Sequence, residues 1–155
     1  MASCNSTYFT YNSPVGRITI ASDGTSITTL AFGEVALEGI RKATDITNRA
    51  ANQLQEYFAG KRTAFDLPLN PTGTDFQKQV WAALCRIPYG STCSYSDIAA
   101  AIGNPKACRA VGGANNKNPI PIIIPCHRVI GANGKPVGYA GTLKTKLFLL
   151  NLEHR

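Results

Sequence analysis

The spacing of apolar residues changes partway along the chain. Early on, short runs of β-branched and aromatic residues alternate with turn formers: Tyr8-Phe9-Thr10-Tyr11, then Val15 to Ala21 after Asn12-Ser13-Pro14, then Ile27 to Phe32 after Asp23-Gly24. Closely spaced segments of this kind predict a small antiparallel meander. From about Thr47 to Ala59 the spacing turns helical, with Leu54, Tyr57 and Phe58 on one face and Gly60 as the stop. No chemistry is evident in this half, which reads as a structural brace. Leu67-Pro68-Leu69-Asn70-Pro71-Thr72-Gly73 is a linker by composition. It divides the chain into an α/β domain over 1–70 and a mainly helical domain over 71–155.

The second half opens on a capping box, Thr74-Asp75-Phe76-Gln77, after which Phe76, Val80, Ala83, Leu84 and Ile87 recur at helical spacing. Trp81 reads as core, and Pro88-Tyr89-Gly90 ends the helix. Another capping box, Ser94-Tyr95-Ser96-Asp97, predicts a short helix with Ile98, Ala101 and Ile102 inward and Gly103 at its end. Asn104 as N-cap and Pro105 at the first helical position then predict a helix from Lys106 to Gly113. Two short helices joined by a glycine-containing turn make a helix-turn-helix. The final helix, Leu143 to about Glu153, is expected to turn Leu143, Leu147 and Leu150 inward.

Between these helices, prolines at 119, 121 and 125 rule out a regular strand or a helix interior. The run Ile122-Ile123-Ile124-Pro125 therefore reads as buried, irregular backbone that fixes Cys126 at the edge of a core. Gly131-Ala132-Asn133-Gly134 is a tight turn. Val137-Gly138-Tyr139-Ala140-Gly141 is a glycine-hinged aromatic loop suited to a planar ligand.

Composition narrows the function. Of 155 residues 44% are hydrophobic, and no apolar run approaches the about 18 residues of a membrane span. The N-terminus carries no basic region followed by an apolar one, so no signal peptide is expected. Five cysteines, no CxxC pair and two histidines argue against a disulfide framework or a zinc site and for a reducing compartment. Residues 1–70 hold six basic and six acidic side chains, while 71–155 hold ten basic and three acidic, so the whole formal charge of +7 lies in the half with Cys126. Such segregation suits a polyanion-binding surface; general solubility is the alternative.

The helix after Asn104 is built from small residues: Ala107, Cys108, Ala110, Gly112, Gly113 and Ala114. They permit close approach either to a neighbouring helix or to a DNA backbone, with Arg109 as the one long side chain projecting. An ordinary recognition helix would carry several base-reading side chains. This one is shaped to fit rather than to read sequence.

Cys126 is either a small inert hydrophobe or an activated nucleophile. A free thiol needs a base, and His127 is the one interior candidate. Neighbouring side chains diverge on an extended strand and do not face each other on a helix, so a bridging water is the easier geometry. An imidazole that takes a proton wants a carboxylate; Asp75 and Asp97 are better explained as caps, which leaves Glu153. A non-catalytic helix-turn-helix module and a cysteine hydrolase remain alternatives, although no oxyanion-hole motif accompanies the thiol.

Pro125-Cys126-His127-Arg128-Val129, preceded by Asn118-Pro119-Ile120-Pro121 and by Arg109-Ala110-Val111-Gly112-Gly113-Ala114, resembles the O6-alkylguanine-DNA alkyltransferases. The likeness extends over nearly all of the second half, including Ser94-Tyr95, Gly103-Asn104-Pro105, Gly138-Tyr139-Ala140-Gly141 and Leu149-Leu150-Asn151-Leu152-Glu153. It implies a ribonuclease H-like first domain and a winged helix-turn-helix-like second one. It also implies a single-use repair protein that binds duplex DNA through the minor groove, flips the damaged base and takes the alkyl group of O6-alkylguanine, and of O4-alkylthymine, onto Cys126. Under the resemblance His127 is the base, Glu153 orients it, Asn118 is a hinge, and Tyr95 turns the 3′ phosphate and hydrogen-bonds the base. Arg109 fills the gap in the stack. Asn104, Lys106, Ala107, Cys108, Ala110, Gly112, Gly113 and Arg128 fall on the DNA side, and Asn115, Pro121, Val129, Tyr139, Ala140 and Gly141 around the guanine. Cys108 departs from the family's commoner alanine. No cofactor is implied, and no zinc, since Cys4 alone stands where some animal relatives carry ligands. The expected state is a monomer in the cytoplasm, or in the nucleus of a eukaryote.

Overall fold

The computed structural model describes residues 5–131 and 142–154. The chain forms two compact units, Met1–Thr72 and Gly73–Arg155.

In the first unit β1 (Thr7–Tyr11), β2 (Ile18–Ser22), β3 (Ile27–Phe32) and β4 (Ile40–Arg41) form a sheet in the order β3-β2-β1-β4. The first three strands are the antiparallel meander that the turn residues predict, with Phe9 opposite Ile20 and Ile20 opposite Leu30. β4 is a correction to that expectation. It joins the free edge of β1 in parallel, so the sheet is mixed. With only two residues, β4 leaves no alternation to read. Helix α1 (Asp45–Phe58) starts two residues ahead of the sequence estimate because Thr44 and Thr47 form a capping box. The Tyr11 hydroxyl donates to Thr47 Oγ1 at 2.9 Å and ties β1 to that start. β2 is buried along its length: Ile18 and Ile20 enter the core, while Thr19 Oγ1 is satisfied by Thr10 Oγ1 at 3.0 Å and the Gly33 carbonyl at 2.8 Å. Among the described residues no helix is long and apolar enough to cross a membrane.

The second unit is helical around the segment that ends at Cys126. α2 (Asp75–Leu84) and α3 (Tyr95–Ala101) each begin on the expected capping box, Thr74 with Gln77 and Ser94 with Asp97. Trp81 is core, and its indole N–H donates to the Ala114 carbonyl at 2.9 Å, which locks α2 to α4 (Cys108–Asn116). Two inward positions on α3 differ from expectation: Ala99 is buried and Ala101 exposed. α4 also begins later. Asn104 is not its N-cap; the Ala107 N–H bonds the Asn104 carbonyl at 3.0 Å, closing a separate turn, and Ala107 caps the helix without a side-chain bond. Gly112 and Gly113 do not end it, and it runs on to Asn116.

The last helix, α5 (Leu143–Glu153), is rotated from the expected setting. Leu143 and Leu147 are 52% and 40% exposed, and the inward residues are Lys146, Leu149, Leu152 and Glu153. Leucine and phenylalanine lie on every side of this helix, so apolar spacing could not choose a face. Two buried polar contacts choose it instead, one from Lys146 and one from Glu153. β5 (Cys93–Ser94) and β6 (Val129–Ile130) pair in parallel, fastening the strand after Cys126 beside the start of α3.

Candidate active site

Cys126, His127 and Arg128 form one turn of 3-10 helix, and all three are buried. The preceding loop is held by Asn118. Its Nδ2 donates to the Ile124 carbonyl at 2.8 Å and its Oδ1 accepts from the Ile120 N–H at 2.9 Å. Between these anchors Ile122 takes φ +75°. A left-handed conformation costs a β-branched residue about 1–2 kcal/mol. Burial of its side chain, 1% exposed, offsets that cost. The loop is thus forced into place from both ends, which is what the three prolines foreshadow.

The Cys126 side chain is 0% exposed. Burial pushes its pKa up from 9.0 to about 11, while a hydrogen bond with Asn118 and the charge of Lys146 pull the other way. At neutral pH the resting thiol is therefore protonated. Such a sulfur is inert until a base takes its proton.

The next residue, His127, carries a buried imidazole. Nε2 of His127 lies 2.6 Å from Glu153 Oε2, with both side chains withdrawn from water. The carboxylate fixes the proton on Nε2, so Nδ1 carries the lone pair. Nδ1 is buried and has no hydrogen-bond partner among the described residues. Burial lowers the pKa of His127 below its ordinary 6.5, against the pull of Glu153, so the ring is neutral at pH 7. On a 3-10 turn successive side chains diverge by about 120°, which agrees with a water rather than a direct contact between thiol and imidazole.

Glu153 sits in the last turn of α5, where a helix disfavours negative charge. Arg128 resolves this. Its Nε donates to Oε1 at 2.8 Å and its NH2 group to Oε2 at 3.1 Å, a two-pronged clamp, while its NH1 group donates to the Ile87 carbonyl at 2.7 Å. The expected place of Arg128 on the DNA side is therefore corrected: it is buried, three of its donors bond inside the protein, and it holds the carboxylate that holds His127. Gly90, with φ +81°, brings the turn after α2 against the Glu153 carbonyl, where an added Cβ would lie 3.2 Å away.

The other predicted residues fall into two groups. Asn115, Pro121 and Val129 are buried, and Asn115 Nδ2 donates to the Cys126 carbonyl at 3.5 Å. Tyr95 opens α3, half-buried; burial raises its pKa, and the thiols of Cys126 and Cys108 raise it further, so its hydroxyl lies within electrostatic reach of both. On α4 the exposed positions are Arg109, Ala110, Gly113 and Asn116, one face at helical spacing, flanked by exposed Asn104, Lys106 and Lys117. A Cβ on Gly112 would meet the Tyr95 ring at 3.9 Å, an ordinary contact distance, whereas a Cβ on Gly113 would meet nothing within 4 Å. Packing within the protein thus gives no reason for glycine at 113, although it weakens the helix by about 1 kcal/mol relative to alanine. Cys108 is half-buried, 3.7 Å from the Ser96 hydroxyl. Tyr139, Ala140 and Gly141 lie outside the described residues. Among the described residues no cluster of three metal-ligating side chains occurs.

The inward role of Arg128 and the whole role of Lys146 escaped the sequence reading. Arg128 was visible only as part of a motif, and nothing in its spacing distinguished an inward from an outward guanidinium. Lys146 is fully buried, with Nζ 2.6 Å from the Val129 carbonyl. Its spacing of seven from Glu153 on one helical stripe was the available signal.

Residues 75–155 match the DNA-binding domain of 6-O-methylguanine DNA methyltransferase, and residues 7–71 match its ribonuclease-like domain. The chain is 52% identical to a methylated-DNA–protein-cysteine methyltransferase of Methanosarcina barkeri, covering 94% of this chain and 96% of the relative. It is 50% identical to the constitutive methylated-DNA–protein-cysteine methyltransferase of Bacillus subtilis, with 94% of each covered. Among solved structures, Mycobacterium tuberculosis OGT in complex with DNA superposes with a TM-score of 0.89 at 48% identity, covering 96% of this chain and 92% of that one. Matches that span both units establish that this chain belongs to the 6-O-methylguanine DNA methyltransferase family.

Proposed function

We propose that this protein repairs alkylated DNA by direct reversal, moving the alkyl group of O6-alkylguanine, and of O4-alkylthymine, irreversibly onto Cys126. The thiol gives its proton, through a bridging water, to Nδ1 of His127. Sγ then forms a bond to the alkyl carbon as the bond from that carbon to O6 breaks. The electron pair stays on the purine, which takes up one proton, so the net change is exchange of a thiol hydrogen for the alkyl group. Glu153 orients the imidazole and stabilises its cation, and Arg128 holds Glu153. The single observation that carries this reading is the pairing of an inert, buried thiol with a neighbouring imidazole whose free nitrogen is the lone-pair one.

A buried sulfur cannot reach a base inside a duplex, so the nucleotide must leave the stack, at a cost of a few kcal/mol. The α3–α4 helix-turn-helix supplies the footing in the minor groove. Phosphate contacts from the basic half of the chain offset the cost in a salt-dependent way. Arg109 fills the gap, Tyr95 turns the 3′ phosphate and hydrogen-bonds the base, and Asn118 hinges the helix-turn-helix to the Cys126 turn. Asn115, Pro121, Val129, Tyr139, Ala140 and Gly141 surround the purine. The protein works as a monomer in the cytoplasm, or the nucleus of a eukaryotic source, where DNA and reducing conditions coincide. The test mixes the protein with excess labelled O6-methylguanine duplex: repaired guanine should stop at one per chain. Continued turnover would refute stoichiometric transfer.

A further inference from the structure

We propose that Lys146 is the built-in counter-cation of the Cys126 thiolate, a positioning residue whose ammonium, pinned on the Val129 carbonyl, stabilises negative charge on Sγ during attack. This rests on the alkyl-transfer reading above and adds a residue to it.

Three observations support it. Lys146 is 0% exposed, and lysine is almost never fully buried unless a charge or hydrogen bond compensates it. It occupies the first turns of α5, where the helix dipole disfavours a cation, so helix stability does not explain its choice. Its Nζ is fixed at 2.6 Å on the carbonyl of the residue that follows the Cys126–Arg128 turn. The titratable groups whose charge couples to it are Cys126 and His127 of that turn. Arg128 and His127 already engage the Glu153 carboxylate.

The electrostatics run the same way. Burial lowers the Lys146 pKa from 10.5 to about 8, and Cys126 is the charge that raises it. Reciprocally, the Lys146 charge favours the Cys126 thiolate and disfavours a proton on His127. One cation thus keeps the base free at rest and steadies the nucleophile in action. As the thiol proton leaves and Sγ bonds the alkyl carbon, charge on sulfur is met by the ammonium until the bond forms and the charge passes to the purine.

The coupling has a signature in the unmodified protein. Below the Lys146 titration, thiolate beside ammonium rises tenfold per pH unit. Above it, that ion pair and the neutral amine beside neutral thiol hold the same number of protons, so their ratio no longer depends on pH. The rate of iodoacetamide reaction at Cys126, followed by peptide mapping, should rise with unit slope and flatten near pH 8. In Lys146→Met the break should vanish and the rate at pH 7 fall about tenfold or more, while Lys146→Arg should stay within about threefold of wild type. A wild-type profile that rises linearly past pH 9 would overturn the proposal, whether or not Lys146→Met folds. So would a folded Lys146→Met with an unchanged profile, even if alkyl transfer from DNA slowed, because that would leave a purely structural role. Because iodoacetamide needs no DNA, a wild type that fails to accept alkyl groups from DNA would sink the repair function without deciding this point.

Discussion

Nε2 of His127 and Oε2 of Glu153 lie 2.6 Å apart, both side chains withdrawn from water, and this contact sets the tautomer of the imidazole. It puts the imidazole proton on the far nitrogen and leaves Nδ1 free to accept. Glu153→Gln keeps an acceptor oxygen for Arg128 but removes the charge that stabilises the imidazolium. Alkyl transfer should slow by roughly a hundredfold, in the range ascribed to a positioned general base. Single-turnover kinetics on O6-methylguanine duplex would measure it, and a rate within threefold of wild type would remove Glu153 from the mechanism.

The pH dependence follows from the His127 shift. Burial depresses its folded pKa below the ordinary 6.5, so the base form persists to lower pH than a free histidine would allow. The acid limb of the transfer rate should therefore have its midpoint below 6.5. Stability follows the same sign: the contribution is complete above 6.5 and drains as pH falls through the depressed value, because the unfolded chain binds the proton first. An acid midpoint above 6.5 would contradict a buried, desolvated base.

Arg128 separates an inward from a DNA-facing role. Arg128→Met leaves Glu153 buried without its clamp, and breaking such a pair costs about 3–5 kcal/mol. Urea denaturation should show the loss, while the salt dependence of DNA binding by the folded variant keeps its slope. Unchanged stability together with a slope reduced by about one phosphate contact would return Arg128 to the interface.

Arg109 is exposed on the face of α4 that carries Gly113. Under the proposed role of Arg109 in filling the stack, which would offset part of a flipping cost of a few kcal/mol, Arg109→Ala should slow repair in duplex DNA by about tenfold or more. Reaction with free O6-benzylguanine should change little. Equal effects on both substrates would exclude a role in extrusion.

The parts of this protein that local rules specify were legible in advance. Ser94 with Asp97 and Thr74 with Gln77 set helix starts through bonds within four residues, and three prolines announced an irregular loop before Cys126. Errors came where distant groups decide. The inner face of α5 is fixed by Lys146 on Val129 and Glu153 on Arg128, contacts with residues 17 and 25 positions away, so a count of leucines chose the wrong side. Asn104 was a sound N-cap by type, yet its carbonyl closes a turn and the helix waits until Cys108. The Cys126-His127 pair stood out as chemistry, but which way Arg128 points depends on where Glu153 lands, and only the fold states that.

The most direct test of the account is intact and peptide mass spectrometry after exposure to excess O6-methylguanine duplex. Each chain should gain the mass of one methylene, confined to the peptide containing Cys126, and Cys126→Ala should gain nothing. Unmodified Cys126 in folded protein, or a methyl group on Cys85, Cys93 or Cys108 in its place, would contradict it.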